Sequence, residues 1–415
     1  MTTAIVSLII IALCVWVLSI ITDTFFIESL DVISMRMQLP PSVAGASLMA
    51  MGSSAPELAI ALLSLFSGGG EHSDVGIGTI VGSAVFNILI ITGVSAMAMP
   101  AKVQARAIVR DCTFYAASVG LLLFVFRDGQ IVVYEALLFI GLYVAYLALL
   151  FRWSDAGGHS AEEVIEEAIE HAREEKAAEA AAEGDDDDAA KKSLSPTFLL
   201  EKVLSMFTGD PRQSYVRAFA ISIIVIGALC FVLVEAAVAF AGAVGIPPVI
   251  VALTILAGGT SVPDMISSIV VARQGRGDMA VANAVGSNIF DILICLGLPW
   301  LLTLLFVGKE VHVGTEGLMS SVLILLGTVG LLFVFALTGR VLSRLEGGIL
   351  IAVYIGYAAW VWLQPQPANA DDHAKKADAA VHEVVEKKPA SDADAAKAKA
   401  KQAKEDATAE KAITH

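Results

Sequence analysis

Ten runs of about 20 predominantly apolar residues, roughly 4–26, 41–66, 75–98, 107–126, 131–151, 216–242, 248–272, 279–306, 317–338 and 345–363, leave this chain one place to fold, the lipid bilayer. Residues 1–22, 75–101, 317–339 and 347–363 carry no charge at all, and between Ala218 and Ala272 only Glu235 and Asp264 are charged. The first run has no basic segment before it and no clear small-residue cleavage site, so it reads as a retained span. The expected fold is an all-α polytopic membrane protein of about ten transmembrane helices. Its net charge of −15 is unevenly spread along the chain. Much of it comes from an acidic stretch at 152–213, which divides the chain into halves at 1–151 and 214–363, and a charged low-complexity tail follows at 364–415. Cys14, Cys112, Cys230 and Cys295 all fall in spans, so no disulfide or zinc framework is implied.

Short loops orient the chain. Alternate loops hold Arg36; Lys102, Arg106 and Arg110; Arg273 and Arg276; Arg340 and Arg344, whereas the opposite set holds only Arg127 and Lys309. Basic residues mark the cytoplasmic side, so the N-terminus is expected outside, the acidic loop in the cytoplasm and the tail outside or lumenal.

The two halves repeat each other. "LPPSVAGASLMAMGSSAPEL" (39–58) aligns without a gap on "IPPVIVALTILAGGTSVPDM" (246–265), and "DVGIGTIVGSAVFNIL" (74–89) aligns on "DMAVANAVGSNIFDIL" (278–293) with seven identities in sixteen. The repeats, 39–98 and 246–306, start at spans 2 and 7. Five spans separate the copies, so they cross in opposite directions and give two inverted five-helix repeats, an arrangement that puts substrate sites near the midplane on interrupted helices. Glu57 and Asp264 each lie sixteen residues after the second proline of their pair, at most about 24 Å of helix, which buries both acids in the bilayer. Pro56 and Pro263 could be simple kinks. Two carboxylates at matched depth are not explained that way, since each costs at least ~2.5–3.5 kcal/mol at the bilayer centre.

Around those acids the chain offers hard oxygen: hydroxyls of Ser53, Ser54, Thr260 and Ser261, then Ser83, Asn87, Ser287, Asn288 and Asp291 one span further on. Such ligands suit Na⁺, K⁺, Ca²⁺ or Mg²⁺ and argue against zinc or copper. Glu57, Asp264 and Asp291 sum to −3 when ionised, which one Ca²⁺ with one monovalent cation, or about three Na⁺, would neutralise.

These segments resemble the potassium-dependent sodium/calcium exchangers, within the wider cation/calcium exchanger superfamily. The likeness runs from "TDTFFIESLDV" through both repeats and covers roughly two-thirds of the chain, leaving out the loop and tail. It implies a secondary active antiporter, not an enzyme, that expels Ca²⁺ with K⁺ in exchange for Na⁺ by alternating access. The ions are transported, and no cofactor is expected. It also implies Glu57 and Asp264 as the central pair for Ca²⁺ and Na⁺, and Asp291 as the acid of potassium dependence with Asn87 as its neutral counterpart. Ser53, Ser54, Thr260, Ser261, Ser83 and Ser287 are then further ligands. Some potassium-independent relatives also carry Asp at the last position, so K⁺-independent Na⁺/Ca²⁺ exchange and H⁺/Ca²⁺ exchange stay as alternatives.

Partners are expected to be inorganic cations and lipid, with no nucleic acid, and residence in the plasma membrane, with an endomembrane or organelle as the alternative. Glu28 and Glu235 could line a vestibule or simply sit at solvated span ends. "DDDD" at 185–188 lacks the glycine turn of an EF-hand and reads as a solvated acidic run. An apolar stripe at Val164, Ile165, Ala168, Ile169 and Ala172 is either a protein-partner surface or an amphipathic helix. "GRGD" at 275–278 matches a short motif of intramembrane aspartyl proteases, a remote alternative that would need a second facing aspartate.

Overall fold

The computed structural model describes residues 2–37, 50–66, 73–102, 105–156, 196–273, 277–307, 311–312, 315–339 and 341–364. "DDDD", the stripe at 164–172, part of "GRGD", the first Pro-Pro pair and the tail from 365 lie outside them.

Eight described helices are long and apolar enough to cross a membrane, and two positions that the sequence gives as spans are broken. In chain order the helices are α1 (Thr2–Leu30), α2 (Ala55–Phe66), α3 (Ser73–Ala98), α4 (Ala105–Val125), α5 (Val133–Ala156), α6 (Pro196–Thr208), α7 (Tyr215–Val244), α8 (Pro248–Thr260), α9 (Val262–Arg273), α10 (Ala280–Val307), α11 (Thr315–Gly339) and α12 (Arg344–Leu363). In span 2 the described residues begin with the helical segment Ala50–Ser53, which breaks at Ser54 before α2, and span 7 is α8 followed by α9. All other spans are continuous, so the interruptions fall at the two repeated Ser-x-Pro-acid positions.

Packing sorts the helices into two groups. In one, α1 lies along α7, and Leu18, Ile21, Phe25, Leu233, Ala237 and Leu256 share a cluster with Ile60 of α2. The other is larger and draws on α3, α4, α5, α10, α11 and α12, with Tyr115, Phe139 and Trp300 completely enclosed. Outward faces carry exposed Ile5, Ile9, Leu13, Ile224 and Phe231, the apolar surface a bilayer would cover. Helix α3 is the central element, 94% buried over its apolar window. Gly82 makes this possible. A methyl group there would collide with the Leu253 carbonyl and lie 2.7 Å from the Ala257 Cβ, so α3 and α8 touch backbone to backbone. Gly82→Val is expected to destabilise the protein by about 2 kcal/mol or more through overpacking. Gly120→Val on α4, where nothing lies within 4 Å, should leave the melting temperature in detergent unchanged. Equal melting of the two variants would contradict this packing.

One feature departs from an all-helical reading, and a second places a helix in the acidic loop, which the sequence gives as helical in part or disordered. Two short antiparallel ladders clasp the halves together: β1 (Ala101–Lys102) pairs with β4 (Val341–Leu342), and β2 (Gln130–Ile131) pairs with β3 (Val311–His312). Each ladder joins a loop of one repeat to the symmetry mate of the other ladder's loop. Two-residue strands leave no periodic signature to read. Secondly, the acidic stretch closes with helix α6, packed against α7 and α1. Gly209 follows it at φ 76°, and Arg217 Nε donates to the Phe207 carbonyl at 2.8 Å, closing the helix end.

Candidate functional site

Proline has no N–H to give, so Pro56 and Pro263 leave the carbonyls of Gly52 and Gly259, four residues back, without their helical donors. Ser261, between α8 and α9, sits at φ −90°, ψ 0°, outside regular helix. Each break therefore presents a freed carbonyl, two hydroxyl residues and, in the first turn beyond, an acid: Glu57 in α2 and Asp264 in α9. Ser53 and Thr260 precede the breaks, while Ser54 and Ser261 occupy them.

Helices α3 and α10 carry the remaining candidates and share a distortion. Asn87 opens a π-helical stretch, Asn87–Ile91, and its repeat mate Asp291 opens another, Asp291–Leu296. Such widened turns free a carbonyl and concentrate at functional sites. Asn87 and Asp291 are each 1% exposed.

Most of the candidates come together. Glu57, 3% exposed, lies beside the Thr260 and Ser83 hydroxyls, and its Oε2 has no partner among the described residues. Ser83 Oγ and Ser261 Oγ are 2.8 Å apart. Ser54 lies beside Asp291, which is within electrostatic reach of both Glu57 and Asp264. Cys295 Sγ approaches Asp291 Oδ1 at 3.8 Å. Asn87 Nδ2 donates to Asn288 Oδ1 at 2.9 Å, and Asn87 Oδ1 is buried without a partner. Asn288 in turn donates to the Ala84 carbonyl at 3.0 Å and to the Tyr115 hydroxyl at 3.1 Å. Ser287 is the exception. Its hydroxyl turns back to the Ala284 carbonyl at 3.3 Å, whereas its mate Ser83 serves Glu57. Among the described residues no group of three or more His, Cys, Asp and Glu side chains closes on one point, so the site is built from acids spaced among neutral oxygens. No cationic side chain balances Glu57 or Asp291 there. Buried negative charge without a cationic partner calls for a mobile cation.

Asp264 is half-buried and faces a recess walled by α1 residues Val15, Leu18, Ser19, Thr22 and Asp23. Gly259 lets α1 in, since a Cβ there would meet the Val15 side chain at 2.8 Å. Sequence reasoning gave Asp23 no role. Its signal was a lone acid in an oily helix, four residues after Ser19. Glu28 instead meets Arg212 at 3.4 Å on the exposed side of α1, a solvated end, and Glu235 is exposed on α7.

Two inverted repeats whose broken helices set Glu57 and Asp264 within electrostatic reach of each other, beside freed carbonyls, define a membrane-embedded secondary transporter. The sequence model described as sodium/calcium exchanger protein matches residues 6–152 and 214–363, and the chain belongs to that family. Human sodium/potassium/calcium exchanger 5 is 30% identical over 407 residues, covering 82% of this chain and 79% of its own length. Human sodium/potassium/calcium exchanger 4 is 29% identical, covering 76% and 74%. In fold, the chain is similar to the crystal structure of the H⁺/Ca²⁺ exchanger CAX, with a TM-score of 0.61, 16% identity and coverage of 88% of this chain and 82% of that one. It is also similar to the sodium-calcium exchanger NCX_Mj, with a TM-score of 0.51, 21% identity and coverage of 86% and 99%.

Proposed function

We propose that this protein carries Ca²⁺ together with K⁺ out of the cytosol in exchange for Na⁺, the two ion sets occupying the same buried oxygens in turn. One observation carries the reading: Glu57 and Asp264 begin the helices beyond two symmetry-related breaks, with the Ser83 and Thr260 hydroxyls beside the first. Calcium takes six to eight oxygens in flexible geometry, and the two carboxylates, the hydroxyls and the freed carbonyls supply that kind of set. Asp291, with Ser54 beside it, adds the third negative charge that makes room for one more monovalent cation. The curated relatives named above as sodium/potassium/calcium exchangers support the choice of ions.

In this reading the halves 1–151 and 214–363 share the transport work. The loop at 152–213 faces the cytoplasm, is open to a protein partner, and stands outside the transport path with the tail. The protein then resides in the plasma membrane.

The test is ⁴⁵Ca²⁺ uptake into Na⁺-loaded proteoliposomes with and without external K⁺. Uptake is expected to require the outward Na⁺ gradient and to rise several-fold with K⁺. Uptake indifferent to K⁺ would leave Na⁺/Ca²⁺ exchange alone. Uptake that survives collapse of the Na⁺ gradient and follows an imposed pH gradient would replace the reading with H⁺/Ca²⁺ exchange.

A further inference from the structure

To the central residues Ser53, Thr260 and Asp264, the recess beside Asp264 adds α1 oxygens from Ser19, Thr22 and Asp23. Thr22, 2% exposed, lines it, and its Oγ1 has no hydrogen-bond partner among the described residues. No other buried threonine among the described residues is left so. Thr79, Thr113, Thr254 and Thr303 all turn their hydroxyls back to the carbonyl four residues earlier, at 2.8, 2.5, 2.7 and 2.9 Å. This back-bond is the ordinary way for a helical threonine to satisfy its hydroxyl away from water. Thr22 forgoes it, in a π-helical stretch of α1, Ile21–Ile27, like those at Asn87 and Asp291. Next to it, the Asp23 carboxylate takes a hydrogen bond from Ser19 Oγ at 3.2 Å and lies within electrostatic reach of Asp264. Ser53 and Thr260 complete the oxygen lining.

We propose that Ser19, Thr22 and Asp23 of α1 form a second cation site, separate from the Glu57–Asp264–Asp291 cluster, that holds one alkali cation next to Asp264. The proposal rests on the exchange reading. Asp264 belongs to the buried pair, so Asp23 is the one carboxylate that α1 adds here; among neutral hydroxyls it balances a single positive charge, which favours Na⁺ or K⁺ over Ca²⁺. Exposure falls along the row: Asp23 is exposed, Asp264 half-buried and Glu57 3% exposed. A monovalent cation at Asp23 therefore stands between the surface of α1 and the buried pair. A carboxylate left exposed within a membrane span is also costly unless water or a cation meets it.

The test is equilibrium binding of ²²Na⁺ and ⁸⁶Rb⁺ to the purified full-length protein in detergent, with ⁴⁵Ca²⁺ binding measured alongside; the two tracers distinguish a sodium from a potassium site. Asp23→Asn is expected to weaken binding of one tracer about tenfold, and Thr22→Val about threefold, with Ca²⁺ affinity unchanged in both. Asp23→Glu should recover part of the loss. If Asp23→Asn does not fold, Thr22→Val decides. Unchanged binding of both tracers in the variants would overturn the proposal, and so would a parallel fall in Ca²⁺ affinity, which would place Asp23 in the calcium shell. A wild-type protein without Na⁺-driven Ca²⁺ uptake would overturn the exchange reading instead, and the binding comparison would stand independently of it.

Discussion

Glu57→Gln and Asp264→Asn are each expected to abolish Na⁺-driven ⁴⁵Ca²⁺ uptake while the purified protein keeps its elution position and melting temperature. Each amide preserves the shape of the side chain it replaces, so α2 and α9 should still pack. What is lost is one negative charge in a site where no Lys or Arg balances Glu57. Removing one partner from a desolvated, hydrogen-bonded charge set costs about 2–5 kcal/mol, roughly 30- to several-thousand-fold in affinity. Ser83 and Thr260 hydroxyls that now point at Glu57 would face an amide that is itself half donor, which adds to the loss. Near-normal uptake by either variant would place the ion site elsewhere in the molecule.

Asp291→Asn should have a different effect: Ca²⁺ uptake driven by Na⁺ persists within about threefold, and its stimulation by K⁺ disappears. Calcium's two charges are met by Glu57 and Asp264. The third carboxylate is what makes an additional, weakly held monovalent ion favourable. The fold already accepts an amide at this point of the repeat, because Asn87 occupies the mate position at 1% exposure, with Nδ2 bonded to Asn288. Dose–response curves for K⁺ in proteoliposomes separate the outcomes. A variant that loses all uptake would assign Asp291 to the calcium shell, and one that keeps full potassium dependence would assign the ion to other residues.

Membrane spans, their interruption and the symmetric acids were all legible because each rests on a one-dimensional signal. Twenty apolar residues cross a bilayer whatever their neighbours do, and a proline breaks the helical ladder wherever it stands. The matched offset of 207 residues between Ser53-Ser54-Ala55-Pro56-Glu57 and Thr260-Ser261-Val262-Pro263-Asp264 pointed to the site before any distance was known. Other parts depend on contacts that only folding creates. Asp23 acquires meaning when Gly259 admits α1 to the break, and nothing in α1 announces that neighbour. Ser83 and Ser287 look equivalent in the repeat. They diverge because Ser83 meets Ser261 and Glu57, while Ser287 bonds to its own helix. Helix α6 was hidden by the charge around it, although its own residues, "PTFLLEKVLSMFT", begin with proline and carry an apolar face.

The two clasps settle a question of parity. A chain that crosses a sheet of lipid an even number of times returns to the face it left, and an odd number strands it on the other. Setting aside α6, whose 13 residues are too short to cross, the described chain between β1 and β4 runs through α4, α5, α7, the broken pair α8–α9, α10 and α11. Between β2 and β3 it runs through α5, α7, the same broken pair and α10. Both tallies are even only when α8 and α9 together count as one complete passage. Were that segment to dip in and turn back at Ser261, each ladder would need its two strands on opposite surfaces, some 30 Å apart. The break in the second repeat is therefore an elbow in a through-going helix, open to ions from its side, and not the tip of a hairpin.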